Sequence, residues 1–176
     1  SANRALMKEQ EQAKIIETLS TTFSSVYYVD MKTLMYKRVI EEEPSAQSFP
    51  DKGPWISTFK KYIDTFVISD QKANFNFMLN KDSIIESLSN KKRLTVEYRR
   101  NDNTWRRAFF VPAVIEGNNN VNSFLFAVQN IAEEKQKELD MYNALQEAYV
   151  AANLASTAKT TFLSNMSHDI RTPMNA

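Results

Sequence analysis

The spacing of apolar positions changes repeatedly along this chain, and each change marks an expected element. Residues 2–19 place Leu6, Ala13, Ile16 and Leu19 at helical spacing, which predicts an amphipathic N-terminal helix with that side buried. Ser20-Thr21-Thr22 ends it. Two runs rich in β-branched and aromatic residues follow at 25–29 and 34–40, separated by Asp30-Met31-Lys32-Thr33 as a hairpin turn. Residues 41–54, punctuated by Pro44, Pro50, Gly53 and Pro54, predict a loop. From 55 to 88 the period is helical again, through Trp55, Phe59, Tyr62, Ile63 and Phe66, then Phe75, Met78, Leu79, Ile84, Ile85 and Leu88. Ser69-Asp70 and Lys81-Asp82-Ser83 supply caps, so several short helices are expected rather than one long one.

Three strands come next. Leu94, Val96 and Tyr98 alternate with Thr95, Glu97 and Arg99; Asn101-Asp102-Asn103 turns the chain into a strand over 105–115. Gly117-Asn118-Asn119-Asn120 leads into a strand over 121–131, with Phe124, Phe126 and Val128 on one face and Ser123 and Gln129 on the other. Two strands, a helical crossover and a three-strand meander define an α+β layer, a five-stranded antiparallel sheet with helices on one face. This order and length resemble the PAS domain, a sensory module, over residues 21–131. PAS domains often close on an Asp-x-Thr turn that hands off to an outgoing helix. The matching place here reads Asn130-Ile131-Ala132-Glu133, a departure from that pattern.

Beyond Ala132 there is no glycine, and no proline until Pro173. Leu139, Tyr142, Leu145, Tyr149 and Ala152 recur at the 3–4 spacing of a paired coiled coil, so 132–159 reads as a long signalling helix. Continued strictly, the seam would bury Ser156 and Lys159, whereas Ala155, Ala158 and Phe162 need a shifted phase. That is a stutter, either a switch point or a weak stretch of helix. The last residues sit inside a helical pattern with no stop signal, so the sequence reads as a fragment.

Composition narrows the function classes. Lys and Arg total 22 against 21 Asp and Glu, which gives no electrostatic case for nucleic acid. The absence of cysteine excludes disulfides, thiolate metal sites and cysteine nucleophiles. No run approaches the roughly 20 apolar residues of a membrane-spanning helix, and the polar start is no signal peptide. A cytoplasmic, bacterial location is the expectation, with any membrane anchor lying upstream.

The chemistry concentrates at 160–176. At about 100° per residue, Phe162, Leu163, Met166, Ile170 and Pro173 gather on one side of a helix. His168, the single histidine, points nearly opposite, among Thr161, Ser164, Asn165, Arg171 and Thr172, with the Asp169 carboxylate next to it. A lone exposed histidine is usually inert, and a metal site would need further ligands. The string Phe162-Leu163-Ser164-Asn165-Met166-Ser167-His168-Asp169-Ile170-Arg171-Thr172-Pro173-Met174-Asn175-Ala176 resembles the H-box of sensor histidine kinases, in their dimerisation and phosphotransfer domain. The resemblance implies that His168 is the phosphoacceptor and that Asp169, more often glutamate in the family, is the general base. It implies that Thr172 positions the hydrolytic water of a phosphatase reaction. Arg171 is placed either to contact phosphate or to form a structural ion pair, and Pro173 to bend the helix.

The same resemblance implies a homodimer, a catalytic ATP-binding domain in the same protein, a response-regulator receiver domain as partner, and ATP with Mg in the full-length enzyme only. With glycine only at 53 and 117, no Gly-rich phosphate loop can be built here, and the fragment alone is expected to be inactive. A cysteinyl-adduct flavin and a histidine-held haem both lack their residue in the sensor. Tyr27, Tyr28, Phe66, Phe75, Phe77, Phe109, Phe110, Phe124 and Phe126 either line a small-molecule pocket or form plain core. Arg99, Arg100, Arg106 and Arg107 either catch an acidic ligand or make a solvated sheet face, the blander and favoured account. The competing function is a structural PAS dimerisation module that binds no ligand.

Overall fold

The computed structural model describes residues 2–41, 49–89, 91–116 and 120–174, with the side chains of 114–116 and 172–174 excepted. Two compact units divide it, Ser1–Ala132 and Glu133–Ala176. The first is α+β and PAS-like. After helix α1 (Ala2–Ser20) come β1 (Ser25–Asp30), β2 (Met35–Glu41) and β3 (Lys52–Pro54), then α2 (Trp55–Phe66), a 3₁₀ run (Ser69–Met78) and α3 (Lys81–Leu88). Strands β4 (Leu94–Arg99), β5 (Trp105–Glu116) and β6 (Asn120–Asn130) complete an antiparallel sheet in the order β3-β2-β1-β6-β5-β4.

The sheet therefore has six strands, where five were expected. The sixth is β3, part of the predicted loop, pairing Gly53 with Tyr36 and Pro54 with Met35. At this edge a proline costs no ladder bond. A Cβ on Gly53 would lie 3.4 Å from the Tyr36 ring, in ordinary contact with it. The other end of the predicted loop, Glu42 to Ser48, lies outside the described residues.

Local chemistry accounts for the turns. The Asp30 carboxylate accepts from Lys32 N–H at 2.7 Å and Thr33 N–H at 3.1 Å, and Leu34, expected in the second strand, takes a left-handed φ of 55° before it begins. Between β4 and β5 Asn103 is left-handed as well, with φ 66°. There Asp102 accepts from the Thr104 hydroxyl and N–H, and the hydroxyl bond foremost holds its carboxyl below the usual range. The cap of α3 is Asn80, whose side chain accepts from Ser83 N–H at 2.9 Å; Ser83 supplies the donor, and the expected Lys81-Asp82-Ser83 cap lies inside the helix. The predicted turn at Gly117-Asn118-Asn119 lies outside the described residues.

The core fills the space between the sheet and the α2–α3 layer. Trp55, Phe59 and Ile63 from α2, Phe75 and Met78 from the 3₁₀ run, and Ile84 and Leu88 from α3 meet Val29, Tyr36, Tyr98, Phe110, Phe124, Phe126 and Val128 from the strands. A smaller cluster of Val26, Ile40 and Ala127, with Phe23, Phe109 and Leu125, is separate from it. Ser123, expected on a polar face, is 2% exposed, and its hydroxyl has no partner among the described residues.

Helix α1 forms as predicted, but its apolar side is not buried. Leu6, Ile16 and Leu19 are all exposed, because a 19-residue helix whose principal neighbour is the single strand β2 leaves most of its length uncovered.

The second unit is one helix, α4 (Ala132–Met174). It opens on Asn130, whose side-chain oxygen accepts from Ala132 N–H at 3.0 Å, while Ile131 is buried and donates to Trp105 O at 3.1 Å. Asparagine thus fills the capping role at the departed hand-off motif. Glu133 and Glu134 in the first turn complement the helix dipole. The backbone runs helical through the expected stutter, where the Thr160 hydroxyl donates back to Ser156 O at 2.9 Å.

Candidate functional site

His168, Asp169 and Arg171 all stand on α4 and are exposed. The His168 and Asp169 side chains are 82% and 83% exposed, and Nδ1 lies 3.8 Å from the nearer carboxylate oxygen. That distance is an ion-pair contact when the ring is protonated and too long for a hydrogen bond. The pairing follows from adjacency on the helix, with both side chains exposed. Thr172 belongs to the last helical turn, four residues past His168, and its side chain lies outside those described. Phe162, Leu163, Met166 and Ile170 are exposed too, an apolar stripe with no cover among the described residues. What this arrangement can do is present a nucleophilic imidazole, with an acid neighbour, to another macromolecule.

A second site lies inside the first unit. Tyr27, Tyr36, Phe49, Trp55, Thr58, Phe59, Tyr62 and Phe126 surround a cavity of about 30 Å³, room for about two water molecules. Of the aromatic residues that the sequence offered, Tyr27 and Phe126 line it. Phe75, Phe110 and Phe124 are plain core, Tyr28 is exposed, and Phe109 packs edge-on against Phe23 at 5.6 Å in the smaller cluster. The missed walls come from α2, where Trp55, Phe59 and Tyr62 share a helix face, and from β2, where Tyr36 points inward. Their helical spacing was visible; that this face looks into a void was not.

Most polar atoms around the cavity are engaged. The Tyr27 hydroxyl donates to Glu41 at 2.5 Å, Tyr36 donates to Pro50 O at 2.8 Å, and the Tyr62 and Tyr98 hydroxyls bond each other. Burial first, and the Glu41 carboxylate second, push the Tyr27 phenol well above its ordinary range; burial likewise raises Tyr36. Trp55 differs. It is 3% exposed, stacks on Phe59 at 4.7 Å, and its indole N–H has no partner among the described residues. An unmade bond at a buried donor costs about 1–3 kcal/mol.

The arginine group is not a solvated face. Arg100 and Arg106 are each 6% exposed, with Arg100 packed 4.6 Å over the Phe66 ring. Arg107 donates to Glu97 through both Nε and Nη2, at 3.0 and 2.6 Å. Cross-strand pairing of Glu97 with Arg107 draws that guanidinium onto its own sheet rather than toward a ligand. Among the described residues no group of three or more His, Cys, Asp or Glu is arranged to hold a metal ion. Nor is any helix, within the same limits, long and apolar enough to cross a membrane.

No family model matches the chain. Over 37 residues, 21% of its length, the chain is 54% identical to the virulence sensor protein BvgS of Bordetella pertussis, and equally to those of Bordetella bronchiseptica and Bordetella parapertussis. A stretch of this chain resembles a sensor protein. The chain spans 3% of the length of those relatives. Among solved structures, a sensory box histidine kinase/response regulator from Burkholderia thailandensis aligns with TM-score 0.44 and 12% identity, covering 70% of this chain and 88% of that one. The N-terminal domain of a diguanylate cyclase with PAS/PAC sensor from Marinobacter aquaeolei aligns with TM-score 0.43 and 12% identity, over 63% of this chain and 97% of that one.

Proposed function

We propose that this chain is the sensory and phosphoacceptor part of a two-component sensor histidine kinase. The PAS-like unit, residues 21–131, relays a signal through the helix of 132–159, paired in a homodimer, to His168 in the H-box at 160–176. The observation that carries the reading is the exposed imidazole with its neighbouring carboxylate, inside an H-box string and opposite an apolar stripe. In the reaction, an unprotonated ring nitrogen of His168 attacks the γ-phosphorus of ATP. A P–N bond forms, the bond to the β-phosphate oxygen breaks, ADP departs, and Asp169 takes the ring proton. The phosphoryl group then passes to an aspartate of a response-regulator receiver domain, regenerating neutral histidine. Thr172 positions water when the enzyme runs as a phosphatase, and Arg171 screens phosphate charge. In this reading ATP and Mg are bound by a separate catalytic domain of the full-length cytoplasmic enzyme.

The test is incubation of the full-length protein with γ-labelled ATP, followed by acid and alkali treatment. Wild type should gain a label that is stable to base and lost in acid, as phosphohistidine is; His168→Gln should gain none. Retained labelling in that variant overturns the assignment. A second reading, a structural PAS dimerisation module that binds nothing, is favoured by one observation: the cavity that Tyr27, Tyr36, Trp55 and Phe126 help to line measures about 30 Å³.

A further inference from the structure

Tyr27 is a half-buried phenol with no part in phosphotransfer. Its hydroxyl donates to Glu41 Oε2 at 2.5 Å, the short separation of an O–H donor on a carboxylate. The other oxygen, Oε1, accepts from the Ser25 hydroxyl at 3.0 Å, so the carboxylate is pinned to β1 with one oxygen on the phenol. Neighbouring tyrosines are bonded to weaker bases: Tyr36 donates to Pro50 O, and the Tyr62 and Tyr98 hydroxyls bond each other. Oxidisable rings continue from Tyr27 into the core. Its ring centroid lies 5.7 Å from that of Tyr36, and Tyr36 lies 6.4 Å from Trp55, with both of those residues buried. A phenol gives up an electron readily only when its proton can leave too, and the acceptor must stand within hydrogen-bond reach. Tyr27 meets that condition through a carboxylate.

We propose that Tyr27 is a redox-active tyrosine, oxidised in one step with transfer of its proton to Glu41. The oxidant is a small one-electron radical, such as a peroxyl radical, which is reduced to the hydroperoxide anion as the Tyr27 ring loses an electron. The phenolic O–H bond breaks and the proton passes to Glu41 Oε2. The products are a neutral phenoxyl radical and a carboxylic acid. An electron missing from Trp55 is refilled through Tyr36, so the deficit collects where a carboxylate can take the proton. None of this chemistry involves His168 or a ligand in the cavity.

The exposed tyrosines are removed first, as Tyr28→Phe, Tyr142→Phe and Tyr149→Phe in the whole chain, which leaves Tyr27, Tyr36, Tyr62 and Tyr98. Azide radicals generated by pulse radiolysis then oxidise the protein, and the phenoxyl radical is followed by absorbance and by freeze-quench electron paramagnetic resonance. The expected result is a phenoxyl signal that forms more slowly in heavy water and is lost in Tyr27→Phe. Glu41→Gln keeps an oxygen for the phenol but not a base, and should slow formation of the signal about 100-fold. A signal undiminished in Tyr27→Phe places the radical on another ring and overturns the proposal. Equal rates in light and heavy water, measured with Tyr27 and Glu41 both intact, overturn it as well, and so does an unslowed Glu41→Gln variant.

Discussion

Tyr27 donates a 2.5 Å hydrogen bond to Glu41 across the irregularity where β1 and β2 change register. The bond ties a wall of the cavity to the end of β2, and Glu41 also accepts from the Ser25 hydroxyl at 3.0 Å. Its phenol titrates higher folded than unfolded, so the neutral form is the one that folding favours. That stability is fully present below the ordinary tyrosine value of 10.0 and is lost as pH rises above it. Denaturant unfolding between pH 9 and 11 should therefore show a steep alkaline loss in wild type and a shallower one in Tyr27→Phe. Parallel curves would remove Tyr27 as the source.

Phe59 is the hub of the core of the first unit, within 6.3 Å of the rings of Trp55, Tyr62, Phe75, Phe110 and Phe126. Phe59→Ala should cost about 3–5 kcal/mol in equilibrium unfolding, through lost contacts and an enlarged void. Phe59→Leu should cost less than half as much. Loss below 1 kcal/mol for the alanine would mean the layer collapses to refill the site.

Asn130→Ala removes the acceptor for Ala132 N–H at the start of α4 and should cost about 1 kcal/mol. Amide exchange over residues 132–136 is the measurement, with roughly fivefold faster exchange expected. Asn130→Asp, which restores the more usual residue of this turn, should exchange no faster than wild type. If Asn130→Ala leaves these amides unchanged, the cap is dispensable.

Asp169 and His168 are neighbours on an exposed helix, so removing the carboxylate should leave folding intact and slow phosphorylation. A general base contributes at least about 100-fold, which is the loss expected for Asp169→Asn in full-length protein. Asp169→Glu should keep most of the rate, since it preserves the charge. An unchanged rate in the asparagine variant would assign the proton to another group.

Leu139, Tyr142, Leu145 and Tyr149 are 51–68% exposed along α4. If that stripe meets a second copy, sedimentation should report a dimer for wild type and a monomer for Leu145→Glu. A wild-type monomer at high concentration would sink the coiled-coil reading.

Much of the architecture was legible because it rests on short-range pattern. Alternation at Leu94, Val96 and Tyr98 and the helical spacing from Trp55 to Leu88 depend on neighbours in sequence, and the elements formed where those periods lay. Several misses involve partners distant in sequence. Strand β3 exists because residues 52–54 pair with residues 35–37 of β2; Ser123 is buried because β6 sits in the middle of the sheet. Arg100 and Arg106 looked like surface residues because charge says nothing of which ring or carbonyl awaits.

At the candidate phosphoacceptor site the sequence by itself determined nearly everything. His168, Asp169 and the apolar stripe share one helix, and helical geometry fixes their relation without help from the rest of the chain. The cavity is the opposite case. Its walls come from β1, β2, α2 and β6, separated by up to a hundred residues, and tertiary packing alone brought Tyr27, Trp55 and Phe126 around one void. That Trp55 Nε1–H has no partner among the described residues is a property of close packing, which no period in the sequence encodes.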